Sequence, residues 1–402
     1  MTPDNDNRRW RAGLLGLALS AAALAAHADT GDEAAATPPS PAQAQAQAAG
    51  QTQSQPRTSA TADKRIALSN NYAGNAWRQQ MLAAWQAQTA PAVKTGVVAA
   101  ADAFTIGENQ PTDQAAQIQN LILQGYDAIV IDAASTTALN GAVQEACDAG
   151  VVVVSFDGIV TAPCAWKIVN DFHEWGREQV DYMAKRFPDG ANLLEVRGLP
   201  GTFVDDDLHQ GIVDELKHYP KLHIVSSVEG DWAQDVTQQA VAGVLPSLPH
   251  IDGVLNQGGE AYGVAQAFRA SQREMPVIIF SNAQDELAWW AEQHRKNGYQ
   301  SIAISNAPGI AMVAFWVAQR ILAGEDVPKH LTVPLYHIRQ DELSEVLAHT
   351  PKGSVADQIF TRADVERLIQ QARDTQAAST QPNTAPATDQ AKNPSAAQEI
   401  QP

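Results

Sequence analysis

A run of four valines, Val151 to Val154, constrains this chain more than any other stretch. β-Branched residues favour strands. A strand that is apolar on both faces is typical of the interior of a parallel sheet covered by helices. The run continues to Phe156 and then breaks at Asp157 and Gly158. Because open α/β sheets bind ligands at the carboxyl ends of their strands, the sequence places Asp157 at the edge of a candidate cleft.

Short apolar strands alternate with helical segments along most of the chain. Before the valine run, the pattern predicts strands at 65–69, 93–99 and 127–132, each followed by a helix. The alternation restarts at Asn192 and continues to Ser305. Two successive β/α units of this kind predict two lobes rather than one very wide sheet.

We therefore expect an α/β fold with two doubly wound parallel-sheet lobes, joined by a multi-strand hinge near Asn170, Asn306 and Leu335. The N-terminal lobe is predicted to comprise 63–169 plus 306–333, and the C-terminal lobe 170–305 plus 334–345. A helical extension is expected over 346–376.

Both ends of the chain differ from the lobes in composition. Arg8, Arg9 and Arg11 precede an apolar stretch that ends in the A-x-A motif of Ala28, so residues 1–28 are expected to be a cleaved export signal. Residues 29–62 and 377–402 are rich in Ala, Gln, Thr, Pro and Ser without apolar periodicity. Such composition buries too little apolar surface to offset ordering entropy, so a disordered linker and a disordered tail are predicted.

The charge balance excludes one class of partner. The chain carries 45 acidic and 27 basic residues, a net charge of −18. A broad basic face for nucleic acid or an anionic membrane is therefore not expected.

Two cysteines, Cys147 and Cys164, flank the valine strand. An exported chain meets an oxidising compartment in which a disulfide persists. A pair of free buried thiols is the alternative.

Polar and aromatic residues recur where the predicted strands end. This set suits a neutral polyol such as a sugar, because carboxylates accept from hydroxyls, amides both donate and accept, and Trp packs against the apolar face of a sugar ring. The alternative is that Asp and Asn serve as turn formers and helix N-caps. The candidate ligand-binding residues are Asn71, Trp77, Asp132, Asp157, Asp205, Trp232, Asn282 and Asn306.

No catalytic signature accompanies these residues. The sequence lacks a G-x-S-x-G elbow, a G-x-x-x-x-G-K loop and an H-E-x-x-H helix. Asp205 to Asp207 with His209 are one candidate for a metal site, but their spacing fits the polar start of a helix better. We expect a binding protein rather than an enzyme, without a metal or cofactor.

From about Lys64 to about Arg339, the chain resembles the periplasmic sugar-binding proteins of ABC importers, of the ribose-binding type. The resemblance is carried by Ile66–Asn71, Gln124–Asp132, Gly150–Asp157 and Gly198–Thr202, together with the strand–helix order. It implies the type I two-lobe fold. It also implies roles for individual residues: an aromatic clamp at Trp77, polar ligand contacts at Asp132 and Asp157, a second-lobe aromatic at Trp232, and later polar positions at Asn282 and Asn306.

Three positions depart from that family's pattern. Gly158 and Leu208 stand where the resemblance implies arginines, and Gly258 stands where it implies an asparagine. These differences indicate a sugar other than ribose, or a ligand that carries an amine or another cation.

The resemblance implies a monomeric periplasmic protein that captures a small polar solute, a sugar or polyol, and delivers it to the membrane permease of an ABC importer. A ligand sensor of the same fold, signalling to a chemoreceptor or kinase, is the alternative. A transcription regulator with these lobes would need a helix-turn-helix ahead of them, and residues 29–62 contain none.

Overall fold

The structure is a computed structural model that describes residues 59–107 and 110–380. The predicted export signal, most of the predicted linker and residues 381–402 of the predicted tail lie outside the described residues. Within the described part of the chain, no helix combines the length and apolar character needed to cross a membrane.

Six parallel strands form the larger sheet, in the order β11-β5-β4-β3-β1-β2, where β11 is His330–Thr332. Three helices join its first four strands, and a fifth strand follows. The elements are β1 (Arg65–Asn70), α1 (Ala76–Lys94), β2 (Ala100–Thr105), α2 (Pro111–Leu123), β3 (Ala128–Asp132), α3 (Asn140–Asp148), β4 (Val152–Phe156) and β5 (Trp166–Val169).

The valine run lies in the centre of this sheet, as its composition predicts. β4 pairs with β3 on one side and β5 on the other, and every residue of β3 is buried. One face packs under α9 (Ile310–Leu322), whose residues from Ile310 to Phe315 are all fully buried. The other face packs under α2 and α3. Burial of each such aliphatic side chain stabilises the fold by about 1.5–3 kcal/mol.

Four parallel strands form the second sheet, in the order β7-β6-β8-β9. Its elements are α4 (Phe172–Arg186), β6 (Ala191–Arg197), α5 (Phe203–Leu216), β7 (Leu222–Glu229), α6 (Gln234–Val244), a short 3-10 turn (Leu245–Ser247), β8 (Gly253–Asn256), α7 (Ala261–Ala270), β9 (Val277–Ile278) and α8 (Gln284–Asn297).

The chain passes between the two sheets several times. It leaves the first at β5, returns after β10 (Ala303–Ser305) to build α9 and β11 (His330–Thr332), and goes back to β12 (Tyr336–Ile338), which pairs antiparallel with β10. We call the six-stranded sheet with its covering helices the first lobe, and the four-stranded sheet with its helices the second lobe. The residue bounds predicted above for the lobes stay predictions.

Two helices follow the last strand. α10 (Leu343–His349) packs against α8 of the second lobe, and α11 (Arg362–Thr380) packs against α9 and β11 of the first lobe.

Three expectations need correction. The strand predicted at 93–99 is wrong: α1 continues through Pro91 to Lys94, and β2 begins at Ala100. The predicted linker does not extend to residue 62, because Thr61 is buried and its hydroxyl donates to the Val97 carbonyl at 2.7 Å. The predicted tail does not begin at 377, because α11 runs on to Thr380.

Cys147, at the end of α3, and Cys164, in the turn before β5, are joined by a disulfide. The bridge fastens α3 to the loop that follows the valine strand.

Candidate functional site

A cavity of about 320 Å³ lies between the lobes, at the carboxyl ends of both parallel sheets. Its first-lobe wall is the segment 72–78 with Asp157, and its second-lobe wall comes from the loops after β7, β8 and β9. Ser305 and Asn306, at a crossing between the lobes, form its floor. This is the position at which the fold is expected to bind a ligand.

The first turn of α1 presents an aromatic and a cation to the cavity. Asn75 caps the helix, since its side-chain oxygen accepts from the Arg78 amide at 2.8 Å. The cap fixes Trp77, whose indole Nε1 donates to the Asn306 carbonyl at 3.0 Å. The guanidinium of Arg78 lies 4.9 Å from the centre of the Trp77 ring.

Arg78 lies between two carboxylates. It pairs with Asp132 at the end of β3, and its Nη2 lies 3.3 Å from Asp157 Oδ2. Asn306 Nδ2 donates to the other oxygen of Asp157 at 2.6 Å. Burial raises the pKa of Asp157, and the guanidinium of Arg78 opposes that rise. Burial likewise lowers the pKa of Arg78, and Asp157 opposes it.

Asp157 also adopts an unusual backbone conformation. Its φ is 54°, in the left-handed region that non-glycine residues seldom occupy. Strained backbone of this kind is concentrated at binding and catalytic sites.

The second-lobe wall is strained in the same way. Asp231 and Trp232, consecutive residues after β7, have φ values of 54° and 53°. A β-carbon on Gly198 would fall 2.2 Å from the Trp232 indole, so the glycine leaves room for that ring.

Two buried glutamates hold the second-lobe loops. Glu260 accepts from the amides of Trp232 at 3.0 Å and Gly258 at 3.1 Å, which links the loops after β7 and β8. Glu286 accepts from the amide of Ser281 at 3.0 Å and from that of Ala261 at 2.7 Å. Burial raises the pKa of Glu260 well above its ordinary value and that of Glu286 to about 7.

The structure brings five of the eight predicted ligand-binding residues to the cavity: Trp77, Asp157, Trp232, Asn282 and Asn306. Asn71 lines a smaller adjoining cavity of about 40 Å³, and its amide donates to the Ala133 carbonyl at 3.2 Å.

Asp132 and Asp205 do not line the cavity, contrary to the sequence expectation. Asp132 is fully buried behind Arg78. Asp205 is fully buried against Arg197, with Oδ2 2.6 Å from Nη2. Asp132 is the last residue of β3 and Asp205 lies in the first turn of α5, and each carboxylate pairs with an arginine.

Several lining residues escaped the sequence reasoning. Arg78 is the most important of them. It directly follows Trp77, a predicted ligand contact, and this position in the sequence could have identified it. Asp235 and Asp285 also line the cavity, each in the first turn of a helix. Acidic residues are common at that position because they interact favourably with the helix dipole, so they do not by themselves indicate a ligand site. The other lining side chains that were not predicted include Trp175 and Gln234. Among the residues that the structure describes, no group of His, Cys, Asp or Glu is arranged to hold a metal ion.

Two facing α/β lobes with a polar and aromatic cavity between them define a two-lobe solute-binding protein. The sequence profile of the periplasmic binding protein domain matches residues 66–326. The chain therefore belongs to the periplasmic binding protein family, which confirms the predicted type I fold and a binding role rather than catalysis.

Relatives and solved structures agree. The ribose import binding protein of Bacillus subtilis is 26% identical over 234 residues, which cover 57% of this chain and 73% of the relative. The xylitol-binding protein of Mycolicibacterium smegmatis is 23% identical over 245 residues, covering 60% and 69%. The crystal structure of an ABC transporter solute binding protein from Thermobispora bispora superposes with a TM-score of 0.73 at 32% identity, covering 78% of this chain and 97% of that one.

Proposed function

We propose that the protein captures a neutral polyhydroxylated solute, a sugar or a polyol, between its lobes and delivers it to the permease of an ABC importer. The observation that carries the proposal is the chemistry of the cavity. Trp77 and Trp232 offer flat apolar surfaces from opposite lobes, and Asp157, Asn282 and Asn306 offer acceptors and donors. Hydroxyl-bearing rings need that combination.

The charge of the wall supports a neutral solute over an anion. Asp157, Asp235 and Asp285 line the cavity, and Arg78 is the one basic side chain among its described lining residues. Arg78 is already paired with Asp132 and Asp157. An anionic solute such as a sugar acid or sugar phosphate would meet unbalanced carboxylates, which costs affinity.

Capture works by closure of the lobes. A solute that touches both walls binds the closed form better than the open one and so shifts the equilibrium toward closure. The relatives named for ribose import and for xylitol support this class of solute. They also favour transport over the sensor alternative.

The residues that precede the described part of the chain concern where the protein acts. Export through a signal at residues 1–28 would place the protein in the periplasm as a monomer that docks on its permease. N-terminal sequencing of the mature protein is then expected to begin at Asp29, and an uncleaved Met1 would contradict export processing.

Isothermal titration calorimetry against pentoses, hexoses, linear polyols and their acidic derivatives tests the site. Asp157→Asn keeps the side-chain shape and tolerates the left-handed backbone, but it removes the charge. We expect at least about a tenfold loss of affinity for the solute that the unmodified protein binds. Asp189→Asn, at an exposed position, is the matched control. Equal affinity of Asp157→Asn and the control would show that the charge of Asp157 does not contribute to binding. A preference for the acidic derivatives would refute the proposed class of solute.

A further inference from the structure

The chain connects the lobes once more after the strand β12. Leu343 of α10 packs in the same apolar cluster as Leu287 and Trp290 of the second lobe. Val365 and Ile369 of α11 pack in the cluster of the first-lobe helix α9. Residues 350–360 therefore run from the second lobe to the first, and we call them the fourth crossing, after those near Asn170, near Asn306 and between β11 and β12.

Backbone hydrogen bonds attach the fourth crossing to the second lobe. The Gln284 amide donates to the Ser354 carbonyl at 3.0 Å, and the Ala356 amide donates to the Asn282 carbonyl at 2.7 Å. Asn282 Nδ2 also donates to the Ala356 carbonyl at 2.7 Å. The segment thus lies against the loop after β9 like an added antiparallel strand, with Val355 opposite Ala283.

Side-chain hydrogen bonds attach the same residues to the first lobe. The Ser354 hydroxyl donates to Gln80 Oε1 on α1 at 3.0 Å. Asp357 Oδ1 accepts from the Gly309 amide, just before α9, at 2.7 Å. Opening of the lobes must therefore bend the crossing or break one of these two sets of bonds.

The fourth crossing also forms part of the interlobe cavity. Gly353, Ser354 and Val355 line it beside Asn282 and Asn306. Val355 is only 6% exposed, so its side chain is a packed part of this wall. The residues matched by the family profile end at 326, so this wall lies outside them.

We propose that the fourth crossing is one wall of the ligand site and that Val355 sets the size of solute that the cavity accepts. The proposal rests on the proposed function, because it concerns the solute bound in the same cavity. The crossing is hydrogen-bonded to both lobes and holds Val355 at the cavity, so a bulkier side chain at this position takes space directly from the ligand.

The test compares Val355→Phe with Ile359→Phe in the full chain. Both positions lie on the fourth crossing and both substitutions replace a branched aliphatic side chain, but Ile359 is 73% exposed and does not line the cavity. Calorimetry against pentoses, hexoses, disaccharides and linear polyols should show at least about a tenfold loss of affinity for Val355→Phe. Ile359→Phe should stay within about twofold of the unmodified protein. Equal affinities of the two variants would overturn the proposal.

Val355→Ala provides the opposite change and replaces Val355→Phe if the latter does not fold. It should shift the preference toward the larger members of the panel, and an unchanged order of affinities would overturn the proposal.

A separate measurement distinguishes failure of the proposed function. If the unmodified protein binds no member of the panel, the proposed class of solute is wrong. Hydrogen exchange of the free protein then tests whether the fourth crossing is a fixed wall of the cavity. Slow exchange of the Ala356 amide relative to that of exposed Lys352 supports a crossing that is fixed to the second lobe. Equal exchange of the two amides would overturn it.

Discussion

Raising the pH should weaken the second lobe through Glu286. This carboxyl is fully buried in the first turn of α8, and it accepts from the amide and hydroxyl of Ser281 and from the Ala261 amide. Burial raises its pKa from 4.5 to about 7, with Asp285 adding to the rise. Between these two values the folded protein holds a proton that the unfolded chain has released. The free energy of unfolding therefore falls as pH rises through this range.

The size of the effect follows from the pKa values. One pKa unit corresponds to about 1.4 kcal/mol, so Glu286 stabilises the fold by about 3 kcal/mol below pH 4.5 relative to pH 7 and above. The pKa of Glu260 is raised by burial as well, so it changes stability in the same direction.

Urea denaturation from pH 5 to pH 8, for the unmodified protein and for Glu286→Gln, measures the effect. Groups that do not interact with Glu286 contribute equally to both proteins, so the difference between the two unfolding free energies reports Glu286 together with its charge interaction with Glu260. That difference should change by about 2–3 kcal/mol across the range, because part of the full effect lies below pH 5. Glu292 is a half-exposed residue of the same helix, and Lys296 lowers the pKa of its carboxyl, so Glu292→Gln should give a constant difference. A constant difference for Glu286→Gln would refute the reasoning and mean that its three donors keep the carboxylate charged.

Two further predictions concern stability. Replacing Cys147 and Cys164 by Ser should lower the free energy of unfolding by about 3 kcal/mol, since the bridge joins residues 17 apart in the chain; equal urea midpoints for this variant and the oxidised protein would contradict a cross-link. Gly211→Ala on α5 should destabilise the fold, because the new β-carbon would lie 2.0 Å from the His173 carbonyl of α4. Gly243→Ala, in open space on α6, should instead stabilise it by up to about 1 kcal/mol, and a gain in thermal stability for both variants would contradict the close helix contact.

The parts of the fold that the sequence predicts best are those where one force dominates. β3 and β4 are apolar on both faces, so their central positions follow from composition alone. β2 is the opposite case. It is an edge strand with mostly half-exposed and exposed small residues, and it leaves little apolar signal. The valines just before it, Val93, Val97 and Val98, led to a predicted strand that overlaps the end of α1.

The site shows a different limit of sequence reasoning. Polar residues at strand ends can be located from the chain, because the end of each strand is predictable. Which of them faces the ligand depends on where the arginines lie in three dimensions. Asp132 ends β3, much as Asp157 follows β4, and Asp205 lies in the first turn of α5. Asp132 and Asp205 are nevertheless fully buried against Arg78 and Arg197, whereas Asp157 lines the cavity. Arg78 and Asp132 lie far apart in the sequence, so no local sequence pattern indicates that they pair.

Gly158 explains why the guanidinium beside Asp157 comes from α1. A β-carbon at this position would lie 2.7 Å from the Ala133 carbonyl and 3.0 Å from Asp132 Oδ1, so the arginine implied there by the family resemblance has no room. Arg78 supplies the charge from the other side and contacts both Asp132 and Asp157. Its removal would leave two buried carboxylates without a cation, which costs about 3–5 kcal/mol where a buried pair is broken. Asp157 is thus held by Arg78, by Asn306 and by its own left-handed backbone before any solute arrives, and a carboxylate oriented in advance loses little entropy on binding.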